Sequence, residues 1–357
     1  MSSRKLPKGR GAVSNPAGRF ERYQTVDLDD GWEASDPDPE PIQTTVTPEQ
    51  TRRLIARNDS PDVPFDQSIN PYKGCEHGCV YCFARPTHAF LGLSPGLDFE
   101  SRIFSKPQAP ERLRQELSRP GYRRQVLALG ANTDPYQPVE GELKLTRRIL
   151  QVLSEYDHPV SVVTKSNRVL RDLDILAPMA ARKLASVLIS VTSLDRGLAR
   201  RMEPRAPTPE RRLQTLSALS EAGVPVGVLA SPMIPGLNDA EMESILERAA
   251  AVGASSAGYI LIRLPLEIKS LFTEWLETHY PRRASHVLNL IRETRGGSLY
   301  DERFGVRMRG TGPYAELLQQ RFTVTCGRLG LDTRHRPFDL SRFRVPPRRG
   351  SQRTLFD

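Results

Sequence analysis

With 357 residues and a formal net charge of +9, the chain can hold one large domain or two, and a single barrel of about 200 to 250 residues with extensions suits that length. No run of about 18 apolar residues is present to cross a bilayer, and the start, Met-Ser-Ser-Arg-Lys-Leu-Pro-Lys, lacks the apolar stretch of a secretory signal. Four cysteines in this length do not build an extracellular disulfide framework, so the cytoplasm is the expected compartment.

Residues 1–60 read as an N-terminal extension. A basic start (Arg4, Lys5, Lys8, Arg10, Arg19, Arg22) gives way to an acidic, proline-containing stretch from Asp27 to Glu40. Few apolar residues recur with any period, and such composition buries too little surface to offset chain entropy, so most of this segment is expected to be mobile. Gly18-Arg19-Phe20 is the piece of it suited to docking on a folded domain.

A first strand is expected just before Cys75, followed by the most informative stretch of the chain, Cys75-Glu76-His77-Gly78-Cys79-Val80-Tyr81-Cys82. It supplies three thiolates and no more. A cubane iron–sulfur cluster takes four ligands, so three cysteines leave one iron open to an exogenous ligand. The competing reading is a structural zinc site with His77 or His88 as fourth ligand, but zinc modules bring a second cysteine pair from downstream and none is present. Lys73, His77 and Arg85 bracket the loop with positive charge that favours thiolates. Gly74 and Gly78 precede two of the cysteines, where a backbone wrapping a cluster needs φ freedom.

Onward from this loop, short β-branched runs alternate with helical patterns, the signature of parallel β/α units. The strands are expected at Gln125 to Leu129, Val160 to Thr164, Ser186 to Val191, Pro225 to Ala230 and Gly258 to Ile262. Helices are expected at Glu140 to Tyr156, Leu170 to Ala181, Pro209 to Ala222 and Asp239 to Val252, with Thr208-Pro209 and Asn238-Asp239 as starts and Gly223 and Gly253 as stops. Six strands make an α/β fold of the partial (β/α)6 TIM-like barrel type over residues 61–291. Functional residues of such barrels cluster where strands end. Polar groups gather at that rim: Asn132-Thr133-Asp134-Pro135-Tyr136, Lys165-Ser166-Asn167, Thr192-Ser193-Leu194-Asp195, Ser231-Pro232 and Arg263. Beyond Arg292 the alternation stops. Glycine pairs and a short helix at Tyr314 to Gln320 indicate a small C-terminal subdomain over 292–345, placed to cover one end of the barrel, and 346–357 read as a basic mobile tail.

The Cys-x3-Cys-x2-Cys spacing, with an aromatic residue before the last cysteine, resembles the signature of the radical S-adenosylmethionine (SAM) superfamily. That resemblance implies a 4Fe–4S cluster on Cys75, Cys79 and Cys82, SAM chelated at the open iron, and an external one-electron reductant that splits SAM to a 5′-deoxyadenosyl radical. Asn132-Thr133-Asp134 and Thr164-Lys165-Ser166 resemble loops of spore photoproduct lyase and its relatives. Phe99-Glu100, Glu203-Pro204-Arg205-Ala206-Pro207 and Leu264-Pro265-Leu266-Glu267 resemble an uncharacterised bacterial group near that lyase. By resemblance, Tyr81 would lie beside the adenine, Asn132, Thr133 and Asp134 would belong to the SAM site, Lys165 would reach the SAM carboxylate, and Ser190 and Thr192 would contact the ribose. Photoproduct lyases carry a hydrogen-donating cysteine shortly before the Thr-Asp pair, where this chain has Ala131; Cys326 is the remaining thiol for that role. Arg205, in its proline-flanked turn, is suited to fork onto a carboxylate or phosphate, or to make a surface ion pair.

Net charge, the lyase-like loops and the tail together point to a nucleic acid or nucleotide as substrate, with DNA repair as the process. The tail, Gln352-Arg353-Thr354-Leu355-Phe356-Asp357, resembles the peptides with which DNA-acting proteins dock on the sliding clamp, through Gln352, Leu355 and Phe356. Two alternatives stand beside this reading: radical SAM modification of a protein or small metabolite, and a nucleic-acid-binding module whose cysteines hold zinc or an unreactive cluster for structure only.

Overall fold

The β-branched runs form parallel strands whose outward apolar side chains, such as Val162, Val187 and Val228, are fully buried beneath helices, while inward ones such as Val163, Leu229 and Ile260 are half-buried at the cavity. The computed structural model describes residues 9–21, 42–333 and 338–347. Ten strands are formed: β1 (Thr45–Pro48), β2 (Ala56–Arg57), β3 (Gln67–Ile69), β4 (Tyr72–Lys73), β5 (Arg102–Ser105), β6 (Leu127–Leu129), β7 (Val160–Thr164), β8 (Ala185–Ser190), β9 (Val226–Met233) and β10 (Ser256–Leu261). The main sheet has the order β10-β9-β8-β7-β6-β3-β2. Neighbours from β3 to β10 are parallel and β2 pairs antiparallel at the edge. These six parallel strands are the expected partial barrel. A small second sheet, β1-β5-β4, flanks it.

Helices start where the chain offers caps. Thr208 accepts the Arg211 amide ahead of the helix Pro209–Glu221, and Gly223 and Gly253 take φ of +74° and +94° just past two helix ends. The expected helix from Glu140 to Tyr156 is two helices, Glu140–Leu143 and Leu145–Glu155, split at Lys144 with φ +50°. The kink lets the buried Glu140 carboxylate accept the Thr146 amide at 3.1 Å and thereby cap the second helix. Asn238 caps nothing; its amide nitrogen donates to the carbonyls of Thr192 at 2.7 Å and Pro232 at 2.9 Å and ties the ends of β8 and β9 together. Two helices that the β/α reading missed, Ile268–His279 and Pro281–Glu293, pack below the cysteine loop around Trp275.

The ends of the chain correct two expectations. The last helix is Pro313–Leu329 rather than a short one at Tyr314 to Gln320, and its Leu318, Phe322 and Cys326 are part of the main barrel core rather than of a separate small core. Residues 9–21 and 42–60, expected to be mostly mobile, are tied to the fold at particular points, although most of 42–60 stays exposed or half-buried. Leu54 joins the core, and the Glu116 carboxylate accepts the Leu54 amide at 2.6 Å. An argument from apolar content overlooks a segment held by hydrogen bonds to its backbone. The acidic stretch Asp27 to Glu40 and the clamp-like Gln352, Leu355 and Phe356 lie outside the described residues. Among those described, no helix is long and apolar enough to cross a membrane.

Candidate active site

A cavity of about 500 Å³ opens where the parallel strands end, lined by Cys75, His77, Cys79, Tyr81 and Cys82 on one side and by Ala131, Asn132, Asp134, Lys165, Ser190, Ser231 and Arg263 on the other. The cysteine loop is shaped by its glycines. Gly74 and Gly78 have φ of +78° and +67°, and a Cβ on Gly78 would come within 2.6 Å of Glu100 Oε2. The Cys75 amide donates to the Phe99 carbonyl at 2.9 Å, and Gly78 and Cys82 amides fold back on the carbonyls of Cys75 and Cys79.

Three buried charge networks hold this loop against the barrel. Asp134 Oδ2 accepts the Lys165 amide at 2.8 Å and lies 3.3 Å from His77 Nδ1, while Oδ1 accepts the Thr164 hydroxyl at 2.6 Å. Burial alone would raise the Asp134 pKa, but His77, Thr164 and the Lys165 amide overcome it and hold it at about 2. Glu203 is the second centre: it accepts the Tyr81 hydroxyl, the Thr192 hydroxyl at 2.6 Å and the Arg212 guanidinium, and Lys165 Nζ lies 4.0 Å away. Burial opposes its charge too, and Arg212 and Lys165 bring its pKa down to about 2. At the third, Arg85 donates to the carbonyls of Cys79 at 2.8 Å and Gly78 at 3.1 Å while paired with the fully buried Glu100.

The expected SAM-site residues separate into two groups. Tyr81, Asn132, Asp134, Lys165 and Ser190 line the cavity. Thr133 and Thr192 do not; the Thr133 hydroxyl donates to the Tyr72 carbonyl at 2.9 Å, and Thr192 supports Glu203. The Thr192-to-Asp195 loop likewise turns to Glu241, which accepts the Ser193 hydroxyl at 2.8 Å. Arg205 forks neither into the cavity nor onto an open position: its Nη2 lies 3.1 Å from Glu76, a cysteine-loop carboxylate. Cys326 is buried in the barrel core and does not line the cavity, so it is not placed to donate hydrogen there. His88 does not line the cavity either, its Nε2 paired with the Arg102 carbonyl at 3.0 Å. Sequence reasoning missed the depth of Glu203 and Arg212 and the role of Glu100; a glutamate and an arginine near a proline-flanked turn were the signal for the first pair.

The donor set fits a cluster better than a single ion. All three loop cysteines are free thiols, and burial pushes them up, Cys79 to about 12, so thiolates persist there only beside strong positive charge such as iron. Among the described residues no three His, Cys, Asp or Glu side chains are arranged to share one metal ion. A zinc needs such convergence, whereas a cubane takes each thiolate on a separate iron.

Comparisons with known proteins agree with this geometry. The family model described as the radical SAM superfamily matches residues 69–249. An uncharacterised protein of Mycobacterium tuberculosis is 35% identical over 277 residues, covering 77% of this chain and 78% of its own. An uncharacterised protein of Methanocaldococcus jannaschii is 27% identical over 226 residues, covering 62% and 79%. Among solved structures, spore photoproduct lyase complexed with dinucleoside spore photoproduct superposes with a TM-score of 0.57 at 17% identity, covering 80% of each chain.

Proposed function

The chain belongs to the radical SAM superfamily, whose enzymes take a 4Fe–4S cluster and SAM and draw on an external one-electron reductant, and we propose that this enzyme's substrate is a nucleic acid or nucleotide. The cofactors supply one-electron cleavage of the SAM sulfonium and, with it, abstraction of hydrogen from an unactivated carbon. The protein's own residues bind, orient and shield. Cys75, Cys79 and Cys82 would hold the cluster. Lys165, kept cationic because Cys79 and Glu203 outweigh the effect of its burial, takes the SAM carboxylate. Tyr81, fixed through its hydroxyl by Glu203 and Thr192, offers its ring to the adenine, and Ser190 and Asn132 offer polar contacts to the rest of SAM.

Arg263 carries the substrate assignment. Its guanidinium lines the cavity, its buried Nε has no hydrogen-bond partner, and its Nη1 reaches only the Met308 thioether at 3.5 Å, a weak acceptor. It stands 5.2 Å from the ring of Phe83, which is 44% exposed. An arginine whose one side-chain hydrogen bond is to a thioether, lying over a half-exposed phenyl ring, suits a ligand that is both anionic and planar, as a nucleotide is. The spore photoproduct lyase likeness supports the same reading by fold alone.

The test is binding of a labelled single-stranded oligonucleotide to the reconstituted protein, together with its effect on 5′-deoxyadenosine formation. We expect binding that Arg263→Ala weakens about tenfold, the size of a lost charge-assisted hydrogen bond. No binding and no effect of DNA or RNA on product formation would overturn the substrate class and favour a protein or small metabolite.

A further inference from the structure

Residues 9–21 lie against the cysteine loop, none of them lining the cavity, and their contacts concentrate on one buried carboxylate. Glu100 accepts the Gly11 amide at 2.9 Å on Oε2 and the Ala12 amide at 2.8 Å on Oε1, and it is the partner of Arg85. Arg85 in turn holds the carbonyls of Gly78 and Cys79. Through these side chains the segment is two residues, Glu100 and Arg85, removed from the backbone that carries Cys79. Its fit is tight: a Cβ on Gly11 would stand 1.8 Å from the Gly78 carbonyl oxygen, so only glycine lets the two backbones meet. Arg10, itself 9% exposed, donates to the Glu100 carbonyl at 2.7 Å. Beyond the contact the segment is moored along its length, Ser94 donating to the Pro16 carbonyl at 2.5 Å and Arg19 pairing with Glu267 at 2.8 Å.

We infer that Gly9–Glu21 is a strap that completes the cluster-binding loop, with Glu100 as the positioning residue through which the Gly11 and Ala12 amides fix Arg85 and hence the backbone of Gly78 and Cys79. The inference rests on Cys75, Cys79 and Cys82 being the cluster ligands. Without the strap, Glu100 loses two of its three side-chain donors and the back of the loop is opened to solvent. A buried carboxylate left short of donors relaxes toward water, and the loop it anchors relaxes with it. The consequence is retention: the strap slows loss of the cluster and access of water and oxygen to it, and it does so without touching the cavity where SAM and substrate enter.

The test uses the full chain carrying Gly11→Val, reconstituted anaerobically and challenged with an iron chelator, with bleaching of the visible cluster absorbance as the readout. We expect bleaching about tenfold faster than in the unaltered protein, with the melting temperature of the cluster-free protein little changed. Hydrogen exchange on the unaltered protein gives an answer that does not depend on the variant folding: the Gly11 and Ala12 amides should be protected when the cluster is bound and exchange faster when it is removed. Unchanged bleaching in a folded Gly11→Val protein, or amides that exchange equally fast with and without cluster, overturns the strap. A Cys79→Ala protein that keeps its full iron and sulfide would instead overturn the ligand assignment.

Discussion

At the scale of single residues, the site depends on charges that are buried and paired. Glu203 and Arg212 are 1% and 2% exposed and satisfy each other. Removing the carboxylate charge by Glu203→Gln leaves a guanidinium buried without its partner, and such losses cost roughly 3–5 kcal/mol. Urea unfolding of the cluster-free protein should show a loss of that order, and Tyr81 should lose its fixed orientation. His158 gives a pH signature remote from the cofactors. Its ring is fully buried, with Nδ1 3.0 Å from the Pro159 carbonyl and Nε2 2.9 Å from the Tyr122 hydroxyl, and burial pushes its pKa down to about 4. Above the unfolded value of about 6.5 neither state is protonated and the stabilisation is complete; as pH falls from there toward about 4, the unfolded chain binds a proton that the folded one refuses. Stability should therefore fall by up to about 1.4 kcal/mol per pH unit from this group over that window, and His158→Gln should flatten the slope in unfolding measured at several pH values.

At the scale of elements, the departures from regular periodicity lie where a side chain has a second task. Lys144 is an exposed residue in the left-handed region, which is costly for a residue bearing a Cβ, and it is tolerated because the break lets Glu140 cap the next helix. Lys144→Gly keeps the break and removes the strain, so it should stabilise the protein by roughly 1 kcal/mol in urea unfolding. A similar logic governs the last helix. Tyr314 to Gln320 reads as a short helix, but Phe322 meets Tyr259 of β10 with ring centroids 4.8 Å apart, and that contact carries the helix on to Leu329. Tertiary burial extends the element beyond what local pattern supports.

At the scale of the molecule, a net charge of +9 and the cavity arginine Arg263, whose buried Nε has no hydrogen-bond partner, act at different ranges. The overall charge steers a polyanion and is screened by salt, whereas a desolvated Arg263 contact is not screened to the same degree. Oligonucleotide affinity should accordingly fall as salt rises, in the unaltered protein and in Arg263→Ala alike, with the gap between the two persisting at high salt. A gap that closes with salt would make Arg263 one more surface charge rather than a ligand contact.

Local features of the sequence determined the chemistry and the barrel. Three cysteines within eight residues need no fold to announce a cluster, and five strands and most of their helices follow from a periodicity that neighbouring residues alone create. Polar residues at strand ends were also legible, because the end of a strand fixes which end of a barrel they occupy. What only the tertiary structure decided is which of them face the cavity and what holds the loop. Thr133 and Thr192 share the rim with Asn132 and Ser190, yet one or two residues further along the backbone they are turned into supports. Gly11 reaches Glu100 across 89 positions, and Tyr81 reaches Glu203 across 122. No pattern in a linear chain encodes such meetings. They arise because burying a carboxylate demands donors from wherever the fold brings them.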